Sequence, residues 1–358
     1  MDTFRTLQME LTHARLRGAI LAFGLMLLVL TSCNDSDSPA TNREEQKAWS
    51  FEAVQSAPKA EKRDMKSFYY APKIGDTSRF TVKQKNSINR NGLALEQEIT
   101  QTYTKIIRKI HADGSVEMSM RIDSMIVREK GPNPQKPGET MSMQFNSGIA
   151  ADRNNPEFIQ YSSIIGAEVI ANVSKFGKVE EVLGLNAIVN QMLGAKKDSI
   201  PEKMKEQLMQ QVKAQFFQMP MQQEYQTFPD EGDLKGSKTW TKVDVIPVSG
   251  ILTVTNTVTY TLGSIHQFNG RKVAIVNAVL TATTEIPKTL PKGIAFTLNA
   301  SRFEGAGKTI VDIETGETIL KNNDVLTELD AIVKDANSGQ KQEVKQQIKT
   351  IVSVSKLR

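Results

Sequence analysis

Leu252-Thr253-Val254-Thr255-Asn256-Thr257-Val258-Thr259-Tyr260-Thr261-Leu262 alternates large apolar residues with threonine. Successive side chains of a strand point to opposite faces, so Leu252, Val254, Val258, Tyr260 and Leu262 make a buried face while Thr253, Thr255, Thr257, Thr259 and Thr261 make a wet one. β-Branched threonine suits the solvated side of a pleated sheet. A strand with one wet face belongs in an antiparallel sheet. Asn269-Gly270 then turns the chain into Arg271 to Ile286, apolar on both faces from Ala274 to Leu280, which predicts a strand that is central or covered on both sides. Extended runs follow at Gly293 to Phe303, Gly307 to Ile313 and Glu317 to Leu326, the last two joined at Thr315-Gly316. Beyond the turn Asn337-Ser338-Gly339, Val344, Ile348, Val352 and Val354 keep one parity in a final strand.

The same period of two fills the first half. It starts at Phe80 and Val82, turns at Asn91-Gly92, runs from Leu93 to Ile110, and turns again at His111-Ala112-Asp113-Gly114. Val116, Met118, Met120, Ile122 and Ile126 alternate with polar residues in the next strand. After a Pro/Gly loop, Met141, Met143 and Phe145 do the same. Phe158 to Ile165 and Glu168 to Val173 read as further extended pieces before the turn Lys175-Phe176-Gly177-Lys178 into Val179 and Val182. Strand alternation places Met118, Met120, Met141 and Met143 on inward faces, where core packing accounts for them without a soft-metal role.

Between Asn186 and Met219 the period lengthens to nearly four. Ser199-Ile200-Pro201-Glu202 fits a capping box, and Met204, Leu208, Val212 and Phe216 recur as one apolar stripe. Asn186 to Leu193, with Ile188, Val189 and Met192, predicts a shorter companion helix. The expected fold is therefore mainly β with a helical insert at about 186–219 (α+β). It is a large curved antiparallel sheet of eleven or twelve strands, or a half-open barrel, with one or two helices packed on it.

The start of the chain gives an address. Arg15 and Arg17 precede the apolar run Gly18 to Leu30, which ends in Leu30-Thr31-Ser32-Cys33. At about 1.5 Å per residue that run reaches roughly 20 Å, short of a hydrocarbon core of about 30 Å. It reads as a secretion signal. Cys33 is the sole cysteine, so no internal disulfide can form and stability rests on packing. The hydrophobic fraction of 39% is enough for a core in the roughly 290 residues beyond the leader. Residues 34–66 read as a flexible tether of small and charged residues with Trp49, Phe51 and Val54 as its larger apolar members, of which Trp49 and Phe51 either dock on the domain or a partner or belong to a weak undocked helix from Arg43 to Val54, leaving 67–358 as the β-rich domain. Formal net charge is +5 from 45 basic and 40 acidic residues that are interspersed, and without a basic run interleaved with aromatics no nucleic-acid partner is expected.

Catalytic constellations are not evident. Beyond the leader, His111 and His266 stand apart, in or near turns, without metal-type spacing, and neither a nucleophile elbow nor a zinc-protease motif is present. Gly305-Ala306-Gly307-Lys308-Thr309 has the ending of a phosphate loop, but Arg302 stands where its first glycine belongs and a strand follows. The expectation is a protein that is not an enzyme, with no catalytic residue, no metal and no cofactor.

Leu30-Thr31-Ser32-Cys33 resembles the lipobox of bacterial lipoproteins. The resemblance implies cleavage before Cys33, lipidation of its sulfur and amine, and attachment to a membrane; Asn34 in the following position favours the outer membrane of the cell envelope. Gly75-Asp76, Gly177-Lys178-Val179-Glu180-Glu181-Val182 and Gly236-Ser237-Lys238-Thr239-Trp240 resemble landmarks of an uncharacterised family of β-rich bacterial lipoproteins over roughly residues 67–358. The architecture alone is similar to the periplasmic lipoprotein-carrier superfamily, whose half-open barrel shelters acyl chains beneath helices. By that likeness Met204, Leu208, Val212 and Phe216 would roof a space for an apolar, acyl-type ligand. A surface-binding or structural lipoprotein with a filled core is the alternative, and an envelope hydrolase a third reading.

Overall fold

The computed structural model of the protein describes residues 48–60, 68–133, 138–230, 234, 237–248, 251–290, 293–335 and 338–357. Twelve antiparallel strands form one open sheet: β1 (Thr77–Arg90), β2 (Leu93–Ile110), β3 (Val116–Pro132), β4 (Thr140–Asn146), β5 (Glu168–Val173), β6 (Val179–Leu183), β7 (Thr239–Val248), β8 (Leu252–Phe268), β9 (Arg271–Glu285), β10 (Ile294–Asp312), β11 (Thr318–Asp335) and β12 (Lys341–Leu357). Their order across the sheet is β6-β5-β3-β2-β1-β12-β11-β10-β9-β8-β7, with β4 laid against β3. Two meanders are thus fused through β1 and β12, in register from Arg79 opposite Leu357 to Arg90 opposite Gln346. The sheet's two edges, β6 and β7, are consecutive strands, and the helical insert is the chain that crosses from one edge to the other.

Local signals set these elements as expected in most places. At Asn91-Gly92 and Asn269-Gly270 both turn residues have positive φ (51° and 81°, 48° and 73°), the tight hairpin whose twist matches that of its strands. The inward parity of β11 and β12 runs unbroken, burying Val325, Leu329, Ala331, Val344, Ile348, Val352 and Val354. The main core lies on the concave face beneath the insert, and a smaller one around Phe296, Phe303, Leu329 and Val344 occupies the far end of β8 to β12.

Among the described residues six short α-helices accompany the sheet: α1 (Phe51–Gln55), α2 (Ala150–Asn154), α3 (Ile159–Ser162), α4 (Leu185–Leu193), α5 (Glu202–Val212) and α6 (Met219–Tyr225). α4 buries Leu185, Ile188 and Val189 and is the expected companion helix. A π-helical turn at Lys213–Gln218 links α5 to α6. Pro220 has no N–H to give to the Phe216 carbonyl four residues back, and the buried Gln101 amide donates to that carbonyl instead, at 2.9 Å. The extra residue in the turn lets both Phe216 and Phe217 face the core.

Several expectations need correction. Residues 48–60, read from composition as part of the tether, are docked: Phe51 and Val54 bury against Phe268, Val273, Ile275 and Ile310 on the convex face, and Ala60 N–H donates to the Ile265 carbonyl at 2.9 Å. Three apolar side chains in a polar stretch suffice because the convex face of β9 is itself apolar there. Phe158 to Ser162 is helical rather than extended, and Ile165 beyond it makes an isolated bridge to Ile122; Asn155 caps the Glu157 amide at 3.0 Å with Pro156 at the first helical position. The runs on either side of Gly305-Ala306-Gly307 are one strand, β10. Its glycines do not break it; a Cβ at either would overlap Val325 or Asn323 of β11, so they allow the two strands to lie close. α5 begins at Glu202 with Pro201 as its N-cap, two residues later than the Ser199 cap that the sequence pattern placed there. Met141 is 44% exposed, β3 being the one strand paired with β4 among the described residues, whereas Met118 and Met120 are buried as expected.

Candidate functional site: a cavity between the sheet edges

Where the two edges approach, a cavity of about 820 Å³ opens. One wall is the β5–β6 turn, Ser174 to Glu180. It is closed by Ser174 N–H to the Lys178 carbonyl at 2.9 Å and held left-handed at Gly177, φ +78°. Any Cβ on Gly177 would lie 2.6 Å from Tyr225 Cβ and 2.7 Å from Phe228 Cδ2, so this turn seats directly on α6 and the loop after it. Gln222 and Gln226 form the second wall, and Lys242 to Ile246 of β7 the third.

The floor shows how the sheet faces the space. β8 contributes every second residue, Asn256, Val258 and Tyr260, as a strand seen from its face must. β7 contributes five consecutive residues, as a strand seen from its edge must. With β8 as its one strand partner among the described residues, β7 turns the other side of its backbone toward the cavity. Leu280 and Val179 extend the apolar part, while Asp113, Lys175, Lys178, Glu180, Asp230, Lys242 and Asp244 give a rim of mixed charge. Lys242 pairs with Asp230 at 3.1 Å. Tyr260 stacks on Trp240, ring centroids 5.6 Å apart, and burial holds its phenol protonated well above the ordinary range.

α6 is fixed beside the cavity by buried charge. The Lys105 ammonium donates to Glu224 and, at 2.8 Å, to the Tyr225 hydroxyl, and Tyr103 donates to the other Glu224 oxygen. Rings of Phe80, Tyr225 and Tyr70 stand 4.5, 4.9 and 5.3 Å from the ammonium. Burial alone would lower the Lys105 pKa; the Glu224 carboxylate outweighs it and the lysine stays charged. Thr318 and Lys321 of β11 donate to the Glu224 and Gln223 carbonyls at 2.6 and 2.7 Å. Burial lowers the Lys321 pKa well below its ordinary value, with Lys242 adding to the shift. These groups are saturated with one another, so their chemistry is that of a clamp.

A smaller cleft of about 340 Å³ lies beside Tyr70, Ser78, Arg271, Glu317 and Lys356. Ser78 and Lys356 donate to Glu317, and Arg271 pairs with Asp312 at 3.1 Å. Burial would raise the Glu317 carboxyl, but Lys105 and Lys356 together hold it below the usual glutamate range.

The stripe read from the sequence does not border the large cavity. Met204 is 56% exposed, Leu208 is half-buried against the main core, and Val212 and Phe216 are buried in it, with Phe216 edge-on to Tyr161 at 6.3 Å. Cys33 lies outside the described residues. His111 sits in the β2–β3 turn, and His266 Nδ1 meets the Ala57 carbonyl at 2.9 Å. Among the described residues no group of three His, Cys, Asp or Glu is placed to hold a metal ion, and no helix is long and apolar enough to cross a membrane. Sequence reasoning missed Asn256. Its signal was available as the one polar residue on the apolar parity of the strand quoted at the outset.

The chain belongs to DUF6263, a family of unknown function whose model matches residues 113–317. The uncharacterised family likeness expected from turn landmarks is met at that coarser level. No curated protein matches the chain. Among solved structures, lipovitellin, described for its lipid–protein interactions, aligns over 80% of this chain and 25% of its own, at 7% identity and TM-score 0.41. The chain therefore spans a quarter of that neighbour's length. OccK7 (OpdD) of Pseudomonas aeruginosa aligns over 79% of this chain and 99% of its own at 6% identity and TM-score 0.22. A DUF1329 family protein of Desulfovibrio piger covers 77% and 83%, at 9% identity and TM-score 0.13. At such scores these neighbours do not bear on function.

Proposed function

We propose that this family member binds an apolar, acyl-type ligand in the cavity between β6 and β7, and does so at the cell envelope, held to the outer membrane by a lipid on Cys33. The observation that carries the binding reading is the cavity itself: about 820 Å³, floored by Val258, Tyr260 and Leu280, at the place where the curved sheet stops short of closing. Its size suits one acyl chain, and its charged rim suits an amphiphile whose polar end stays near water. The anchor rests on Leu30-Thr31-Ser32-Cys33 and the apolar run before it. The alternative, a surface-binding or structural lipoprotein, draws on the packing of Val212 and Phe216 into a filled core beneath the insert.

Native mass spectrometry and organic extraction of protein purified from its own envelope test the reading. Bound lipid is expected in the wild type and its loss in Val258→Trp, which fills the cavity floor. Absence of lipid, together with no binding of a fluorescent fatty acid to the delipidated protein, would leave the surface-binding alternative. Cys33→Ser is expected to move the protein from the membrane to the soluble fraction.

A further inference from the structure

Asn256 stands on the inward face of β8, opposite Asp244 of β7 and Ala282 of β9. It is 4% exposed, lines the cavity, and among the described residues its Oδ1 has no hydrogen-bond partner. Val254 and Val258, its inward neighbours on the same strand, offer it none. A buried amide left unpaired is unfavourable, and native structures rarely retain one without a partner that comes from outside the fold. Beside it runs the cavity-facing edge of β7, Lys242 to Ile246, whose main chain presents alternating donors and acceptors on the side away from β8.

We infer that the ligand carries an amide next to its apolar chain, read by Asn256 and the open edge of β7. This rests on the apolar-ligand reading and narrows it to a chemical class. An asparagine side chain has one acceptor and two donors. A secondary amide answers both and matches the backbone spacing of a strand edge. An ester or a carboxylate brings acceptors alone and leaves Oδ1 as it is. A free carboxylate also meets Asp113, Glu180, Asp230 and Asp244 around the rim, and of the three lysines there Lys242 is already paired with Asp230.

The test uses the delipidated full chain and two neutral ligands of equal length, N-methyldecanamide and methyl decanoate, each displacing a fluorescent apolar probe. The wild type is expected to prefer the amide by roughly tenfold, the worth of one hydrogen bond to a buried partner. Asn256→Val, a β-favouring replacement of similar size, is expected to abolish the preference while keeping affinity for the ester. Equal binding of the two by the wild type, or an undiminished preference in Asn256→Val, overturns the inference and leaves acyl binding standing. Failure of both ligands to displace the probe overturns the apolar-ligand reading with it. The wild-type comparison decides the matter even where the variant does not fold.

Discussion

Lys105 on β2 and Glu224 on α6, 119 residues apart in the chain, form an ion pair whose side chains are 2% and 0% exposed. The pair ties the helical insert to the concave face next to the cavity. Taking two charges out of water is costly, and a pair at this depth is tolerable because Tyr103, Tyr225 and the surrounding rings complete its hydrogen bonds and polarisation. Its value lies in placement: it fixes which face of α6 meets the sheet.

Removing one partner should therefore be worse than removing both. Lys105→Met leaves Glu224 buried without its counter-charge and is expected to cost about 3–5 kcal/mol. Lys105→Met combined with Glu224→Leu should recover much of that loss. Urea unfolding of the two single variants and the double reads the coupling. A cost under about 1 kcal/mol for Lys105→Met would remove the clamp from this account.

Acid should loosen the neighbouring cleft. The Glu317 pKa is held below the glutamate value of 4.5 by Lys105 and Lys356. A carboxylate with a depressed folded pKa adds stability that is present above the unfolded value and lost as pH falls through the folded one. The wild type is thus expected to lose stability as pH drops below about 4.5, with Glu317→Gln showing a shallower fall over the same window. Parallel pH profiles of the two proteins would refute this.

Gly177 and Gly92 share a left-handed backbone, with φ of +78° and +81°, but differ in surroundings. Alanine at Gly92, where a Cβ meets nothing within 4 Å, should cost only the conformational penalty of about 1–2 kcal/mol. At Gly177 the same change also pushes the β5–β6 turn off Tyr225 and Phe228, and about 3 kcal/mol or more is expected. Thermal unfolding distinguishes the two, and a matching cost at both positions would show that the turn does not bear on α6.

Much of the sheet was legible because its signals are local. Asn91-Gly92, Asn269-Gly270 and the parity of Leu252 to Leu262 each act within a few residues, and the structure follows them. What could not be read is long-range. The pairing of β1 with β12 leaves no mark on either strand, yet it makes β6 and β7 the edges and so puts the cavity beside the β5–β6 turn rather than under Met204. Met204, Leu208, Val212 and Phe216 run along α5 and the π-helical turn after it, from an exposed Met204 to a buried Val212 and Phe216. Periodicity reports that a face is apolar and not whether a core or a space lies against it. Docking of Trp49 and Phe51 stayed an open alternative for the opposite reason: too few apolar residues in too polar a stretch, with the complementary patch on β9 out of local view. Asn256 was visible as a break in a pattern, but its importance depends on being buried without a partner.

The fusion of the two meanders also governs the order of assembly. β12 follows its neighbour β1 only after every other strand of the sheet, so the middle of the sheet cannot zip until all twelve strands have been made. Contacts between such distant segments make folding slow. Loss of β12 would therefore remove more than one strand's worth of order, since it unfastens the two halves from each other.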